Sequence, residues 1–354
     1  MTTTPTIPPA QKARALWDGL LRFLSGDVFV YVVKRLLQGA LTLLLASALS
    51  FFIIQLAPGN YLDVLRQDPR ISEETLRVFE QQFGLDKPVL EQYFRWLWQI
   101  VTQGNFGVSF IYSQRPVASI LWERIPATLL LSVASIVVTW AIALPLGIIG
   151  AVRQDQWIDR FFRILSYIGQ GFPTLITGLL LLFLAQFLSP IFPIGGMTSI
   201  EYQDLTPLGK VLDILWHMIL PTLALSITGF AGLQRIMRGQ LLDVLRQDYI
   251  QTARAKGLPE NRVIYVHALR NAVNPLITLL GFEFASLLSG AFITENFFNW
   301  PGLGRLILQA VTAQDLYLVM ASLMMGAVLL IVGNLLADLL LKVVDPRIRL
   351  SDIQ

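Results

Sequence analysis

Apolar residues in this chain come in long runs with few charges. Six of them reach the length needed to cross a hydrocarbon core, about 20 helical residues. They fall at roughly 36–56, 127–151, 162–188, 214–236, 274–294 and 315–341. The stretch from Leu179 to Leu184 is apolar on every face, and the two-residue alternation of a transmembrane barrel is missing. The pattern therefore predicts membrane-spanning helices. Between Pro58 and Pro126 it gives way to a polar insert. There Ser72-Glu73-Glu74 precedes Leu76, Val78, Phe79 and Phe83, with Gly84 just after, which predicts a capped amphipathic helix. A second helix is expected from near Pro88.

Composition agrees with a bilayer as solvent: 54% of the 354 residues are hydrophobic and 14% charged, where a soluble domain carries about 25% charged residues. The net charge of +3 matters through its distribution, because Lys and Arg near span ends mark the cytoplasmic side. Lys34 and Arg35 precede the first run, Arg153, Arg160 and Arg163 follow the second, and a dense group runs from Arg235 to Arg270. Both termini are thus expected in the cytoplasm, with the insert outside, since loops beyond about 60 residues translocate largely regardless of charge. The expected organisation is a cytoplasmic extension 1–35, a first span 36–56, an extracytoplasmic helical insert 57–126, a five-helix core 127–341 and a cytoplasmic tail 342–354. Ala46-Ser47-Ala48 resembles a signal-cleavage triplet, but the apolar run continues to Leu56, which suits a retained span better. Nucleic acid is not needed to explain the charge. The chain has no cysteine, which excludes thiolate chemistry and disulfides. Its two histidines, His217 and His267, lack partners at metal-binding spacing.

The most informative stretch is the basic connection after the fourth run, Asp248-Tyr249-Ile250-Gln251-Thr252-Ala253-Arg254-Ala255-Lys256-Gly257-Leu258, continuing to His267-Ala268-Leu269-Arg270-Asn271. It reads as a short helix ended by Gly257 and Pro259, with the chain then turning back toward the membrane. In an arbitrary membrane protein such a loop does no more than set topology. Here it resembles the coupling motif of ATP-binding-cassette importer permeases, in which Glu-Ala-Ala is followed after three residues by Gly: Gln251-Thr252-Ala253 stands in the place of Glu-Ala-Ala, and Gly257 is in register. The form Thr-Ala-Arg-Ala-Lys-Gly-Leu is similar to the first-permease type of the oligopeptide, dipeptide and nickel branch. Further patterns of that branch are Leu56-Ala57-Pro58-Gly59-Asn60, Gly104-Asn105-Phe106-Gly107-Val108-Ser109, Arg124-Ile125-Pro126-Ala127-Thr128-Leu129, Trp300-Pro301-Gly302-Leu303-Gly304 and Asp345-Pro346-Arg347-Ile348-Arg349.

That resemblance implies an all-α membrane protein with the type I importer (MetI-like) transmembrane fold of about six helices, embedded in the bacterial inner membrane. It implies a permease subunit with no enzymatic activity, forming half of a pathway for di- or oligopeptides. The implied partners are two nucleotide-binding ATPase subunits, a second homologous permease, an extracytoplasmic substrate-binding protein and the peptide itself. ATP and Mg would be bound by the ATPase subunits. The chain's own sequence agrees: no Gly-x-x-x-x-Gly-Lys-Ser/Thr loop occurs, and Gly209-Lys210-Val211 lacks both the first Gly and the hydroxyl. The implied coupling residues are Gln251, Thr252, Ala253, Arg254, Ala255, Lys256, Gly257 and Leu258.

Within the spans, Glu283 between Phe282 and Phe284 is the most deeply placed carboxylate by position along a run. An ionisable group at that depth faces a cavity or a partner, so it is a pathway candidate, the other role being a hydrogen-bonded glutamate at a helix interface. Asn334 and Asp338, four apart, share a face and are expected to bond each other or a neighbouring helix. The competing functional class is a self-contained secondary transporter or channel, which should show repeated broken helices or several pathway charges.

Overall fold

The computed structural model describes residues 27–56, 66, 72–82, 84, 86–188 and 191–344, and those residues are helical apart from turns and one isolated bridge between Val108 and Pro116. Residues 1–26 of the expected N-terminal extension, most of the Leu56-to-Asn60 motif and the Asp345-to-Arg349 motif lie outside the described residues, while 27–35 are helical. The helices are α1 (Asp27–Leu56), α2 (Glu73–Gln82), α3 (Val89–Gln103), α4 (Val117–Val152), α5 (Trp157–Gly171), α6 (Thr174–Phe187), α7 (Pro207–Leu245), α8 (Asp248–Ala255), α9 (Asn274–Phe297), α10 (Leu303–Thr312) and α11 (Leu316–Val344). Four of them, α1, α4, α7 and α11, are long and apolar enough to cross a membrane.

The run expected as one span at 162–188 is broken. Pro173 has no N–H to continue a helix and disfavours helical backbone in the residue before it. Phe172 is accordingly extended, with φ −96° and ψ 117°, and α5 meets α6 at 99°. Counted as one bent span, the pair makes a fifth crossing. The helix that contains the second run is longer than the expected span 127–151: it begins at Val117, directly after Pro116. Val117, Ile120, Leu121 and Ile125 carry the reason, packing against Leu303 and Leu306 of α10 and Leu318 of α11. With 36 residues, α4 is about 54 Å long at 1.5 Å per residue and overshoots a hydrocarbon core. The amphipathic pair expected in the insert forms as α2 and α3, with Pro88 as the residue before α3.

The most extensive helix pairing is between α4 and α7, with α5, α6 and α9 packed on α7 and α11 lying between α9 and α1. Helix α1 starts at Asp27, earlier than the expected 36, and its first turns are tied down. Tyr31 Oη donates to Asp338 Oδ2 at 2.6 Å, and Arg35 donates to the same oxygen at 2.9 Å. The polar residue expected to bond a neighbouring helix thus joins α11 to α1, burying hydrogen-bonded groups that would be costly alone in lipid. On α5, the fully buried Asp159 accepts two hydrogen bonds from Arg238 of α7, at 2.6 and 2.7 Å. Such a two-pronged guanidinium pair fixes orientation as well as distance.

Candidate coupling site

Helix α8 is eight residues long and has two unlike faces. Ile250 is fully buried and Ala253 nearly so, packed in one cluster with Met237 and Leu241 of α7, Ala151 of α4 and Val263, Ala268 and Ala272 of the return segment. Gln251, Thr252, Ala255, Lys256 and Gly257 are exposed, while Arg254 and Leu258 are half-buried. The two alanines of the expected set are divided: Ala253 packs on the chain's own core and Ala255 faces out. Ile250, absent from the expected set, is the residue that seats the helix, and its place three before Ala253 is the helical spacing that could have revealed it.

The turn after α8 is made by Gly257, whose φ of +75° belongs to the left-handed region that glycine adopts without steric cost. Leu258 N–H donates to Ala253 O at 3.4 Å and Gly257 N–H to Arg254 O at 2.9 Å, closing the helix end. Across that turn Arg254 Nη2 donates to Glu260 Oε1 at 2.7 Å, and the guanidinium holds the Glu260 carboxyl below the ordinary glutamate range. The chain returns through a π-helical turn, Val263–Ala268, which buries Val263 and Ile264 and leaves Tyr265 and Val266 exposed. Asn271 Nδ2 donates to Tyr249 Oη at 3.1 Å, linking the return to α8. The result is a helix with an exposed, mainly polar face seated on an apolar base.

Glu283 lies on α9, half-buried, and its Oε2 accepts from Trp140 Nε1 of α4 at 2.6 Å. It is not the most buried carboxylate. Asp159, Glu295 and Asp315 are each fully buried, and reading along the sequence missed all three, because depth along an apolar run differs from burial beneath a folded loop. Glu295, near the end of α9, accepts from Thr128 Oγ1 of α4 at 2.6 Å and from the N–H groups of Gly304 and Arg305 at 2.7 and 3.2 Å. Those N–H groups open α10, where a carboxylate is favoured by orphan donors and the helix dipole. Side chains at Gly302 or Gly304 would overlap the Glu295 carboxylate or Phe292 Cα, and Trp300 Nε1 donates to Ala127 O at 2.9 Å. The Trp300-to-Gly304 motif is thus a cradle around a buried glutamate. Asp315 does the same for the Gly104-to-Ser109 motif, accepting from Ser109 Oγ at 2.6 Å and Phe110 N–H at 2.7 Å. An Asp just before an apolar run is a helix-start signal that could have drawn attention to it.

Comparison with known proteins bears on the whole chain. Residues 143–350 match the family described as "Binding-protein-dependent transport system inner membrane component", and residues 28–132 match the N-terminal family of the same membrane components. The chain is 39% identical over 318 residues to the oligopeptide transport system permease protein AppB of Bacillus subtilis, covering 90% of this chain and 98% of that one. It is 34% identical over 335 residues to the dipeptide transport system permease protein DppB of Escherichia coli, with the same two coverages. It is 36% identical over 321 residues to the glutathione transport system permease protein GsiC of Escherichia coli, again over 90% and 98%.

Proposed function

We propose, for a chain that belongs to the family of binding-protein-dependent transport system inner membrane components, that it forms half of a peptide pathway driven through the outward face of α8. The chain is a multi-pass inner-membrane permease subunit of an ATP-binding-cassette transporter and a non-catalytic component of it. Peptides are the substrate class that its relatives' names share, from dipeptides to glutathione. The second half of the pathway is a second, similar permease. ATP and Mg belong to two ATPase subunits, and an extracytoplasmic binding protein delivers the substrate. Six crossings complete the membrane domain when α9, whose 24 residues span about 36 Å, is added to α1, α4, the bent α5–α6 pair, α7 and α11. Both termini then lie in the cytoplasm, and the insert carrying α2 and α3 lies outside.

The observation that carries this reading is the division of α8 into a buried seat and an exposed polar face. Gln251, Thr252, Ala255, Lys256 and Gly257 are presented to a partner by a helix that Ile250 and Ala253 hold in place. Thrust on that face is transmitted to α4 and α7, since the cluster under α8 contains residues of both. Glu283 is assigned to the pathway in the same reading: Trp140 fixes one of its oxygens, leaving the other for a cationic group such as a peptide amino terminus.

The absence of cysteine makes the test clean. Single cysteines at Ala255 and Lys256 should cross-link to the ATPase subunits in native membranes, with peptide uptake retained before cross-linking. An active transporter in which neither position reaches an ATPase would remove α8 as the coupling element.

A further inference from the structure

At the end of the molecule away from α8, helix α3 and the turn after it enclose a polar pocket of about 300 Å³ against α11. Trp96, Gly107 and Tyr317 form its fixed walls, and Gln81, Gln92, Gln99 and the exposed Arg95 and Asn105 supply its polar lining, the Gln92 carboxamide being engaged with Gln55 and Lys87. The walls are preorganised. Trp96 is 2% exposed and donates Nε1–H to Phe106 O at 3.1 Å. Gly107 sits at φ +93° with the Tyr317 ring so close that a Cβ would come within 2.9 Å of it.

The lining is rich in donors. Asn105 Oδ1 already accepts from Gly107 N–H at 2.9 Å, so its NH₂ group is what remains to offer. Among the described residues the NH₂ groups of Gln99 and Asn105 donate to nothing, and Arg95 has no carboxylate within ion-pair distance. One unpaired guanidinium flanked by two carboxamide donors matches a planar carboxylate, which a guanidinium grips through two parallel hydrogen bonds. Its size is at the small end of ligand sites, and its aromatic walls suit a short organic acid better than a bare inorganic anion.

We propose that this pocket is a carboxylate subsite on the extracytoplasmic insert, taking the C-terminal carboxylate of a peptide before it enters the pathway; the identity of the acid rests on the peptide reading above. Arg95 supplies the charge and Gln99 and Asn105 the flanking donors.

The assembled transporter in nanodiscs, without its binding protein, is titrated calorimetrically with trialanine and with trialanine C-terminal amide. The acid should bind about tenfold more tightly than the amide, the scale of one charged hydrogen-bonded contact. Arg95→Gln should erase that preference, and Arg95→Lys, which keeps the charge and serves if the first variant fails to assemble, should retain part of it. Equal binding of acid and amide by the unaltered complex, or a preference that survives Arg95→Gln, would overturn the proposal. So would loss of binding-protein docking in Arg95→Gln with no acid preference in the unaltered complex, which would give the pocket to a carboxylate of that protein. ATP-driven uptake of trialanine, measured separately with the binding protein present, tests the peptide reading. Acid preference without uptake keeps the subsite and removes peptides as cargo; uptake without acid preference does the reverse.

Discussion

The two ends of this molecule solve opposite problems with the same kinds of residue. At the end carrying the insert, polar motifs are turned inward: Glu295 and Asp315 are fully buried, and their oxygens are taken up by N–H and hydroxyl donors, from Thr128 of α4 and the first turn of α10 for Glu295 and from Ser109 and Phe110 for Asp315. At the α8 end most polar residues of the helix face outward and its seat is apolar, through Ile250 and Ala253, with Asn271 donating to Tyr249 at its edge and the buried Asp159 paired to Arg238 elsewhere at that end. A motif of polar and small residues can thus be internal architecture or an interface, and what separates the cases is where its donors end. The Trp300-to-Gly304 motif closes on a glutamate within the chain, whereas Gln251, Thr252 and Lys256 are exposed.

The sharpest way to break this contrast is at Glu295. Replacing it with Ala strands the Gly304 N–H and the Thr128 hydroxyl, each bonded to a carboxylate oxygen now. A buried donor left without its partner costs about 1–3 kcal/mol, so a loss of about 3–5 kcal/mol is expected. Glu295→Ala should therefore assemble poorly and show a sharply lowered melting temperature in detergent. A variant as stable as the parent would mean that the cradle is ornamental. Next comes Ile250→Ala. It removes a fully buried side chain from the cluster beneath α8, and large-to-small changes of this kind cost about 2–5 kcal/mol. Helix α8 should loosen locally, which hydrogen exchange would detect as faster exchange across 248–257 than in α4. Uniform exchange in both regions would contradict a seat made mainly by Ile250.

A smaller effect is expected at Gly257. No atom lies within 4 Å of a Cβ placed there, but its φ of +75° is unfavourable for any other residue. Gly257→Ala should cost about 1 kcal/mol through backbone strain alone, read as a modest shift in melting temperature. A shift of several kcal/mol would mean that the turn is packed rather than open. Because strain and docking are mixed at this position, transport loss at Gly257 would not by itself identify an interface.

Much of this arrangement is legible in the sequence, and the gaps share a physical cause. Apolar runs located the long helices, because a helix in lipid must be apolar over about 20 residues whatever it packs against. Ser72-to-Gly84 and Pro88 located α2 and α3, since caps and glycine act within a few residues of themselves. The short helix ended by Gly257 was legible from its glycine and proline, while the allocation of Ile250 and Ala253 to the seat required the folded return segment. Pro173 was visible, yet a proline in an apolar run reads equally as a kink or a break, and the 99° angle comes from how α5 and α6 pack. The burial of the carboxylates was harder to read because part of each partner set is distant: Thr128 is 167 positions from Glu295, and Ser109 is 206 from Asp315, although Gly304 is only nine from Glu295.

The smallest stability effect is the one that separates the two ends most cleanly. Ala255 is exposed on α8, two residues from the buried Ala253 and on the other face, and it neither sits in a left-handed turn nor fills the cluster beneath. Ala255→Asp should change stability by less than about 0.5 kcal/mol, as surface substitutions generally do. It nevertheless puts a carboxylate on the face assigned to the ATPase, where an unmatched charge carries a desolvation cost on docking. The variant should insert, assemble with wild-type melting behaviour and yet lose most ATP-driven uptake. The equivalent change on the inward side, Ala253→Asp, should destabilise before uptake can be measured. If Ala255→Asp transports normally, the outward face of α8 is only a solvated surface, and coupling must pass through the exposed Tyr265 and Val266 of the return segment instead.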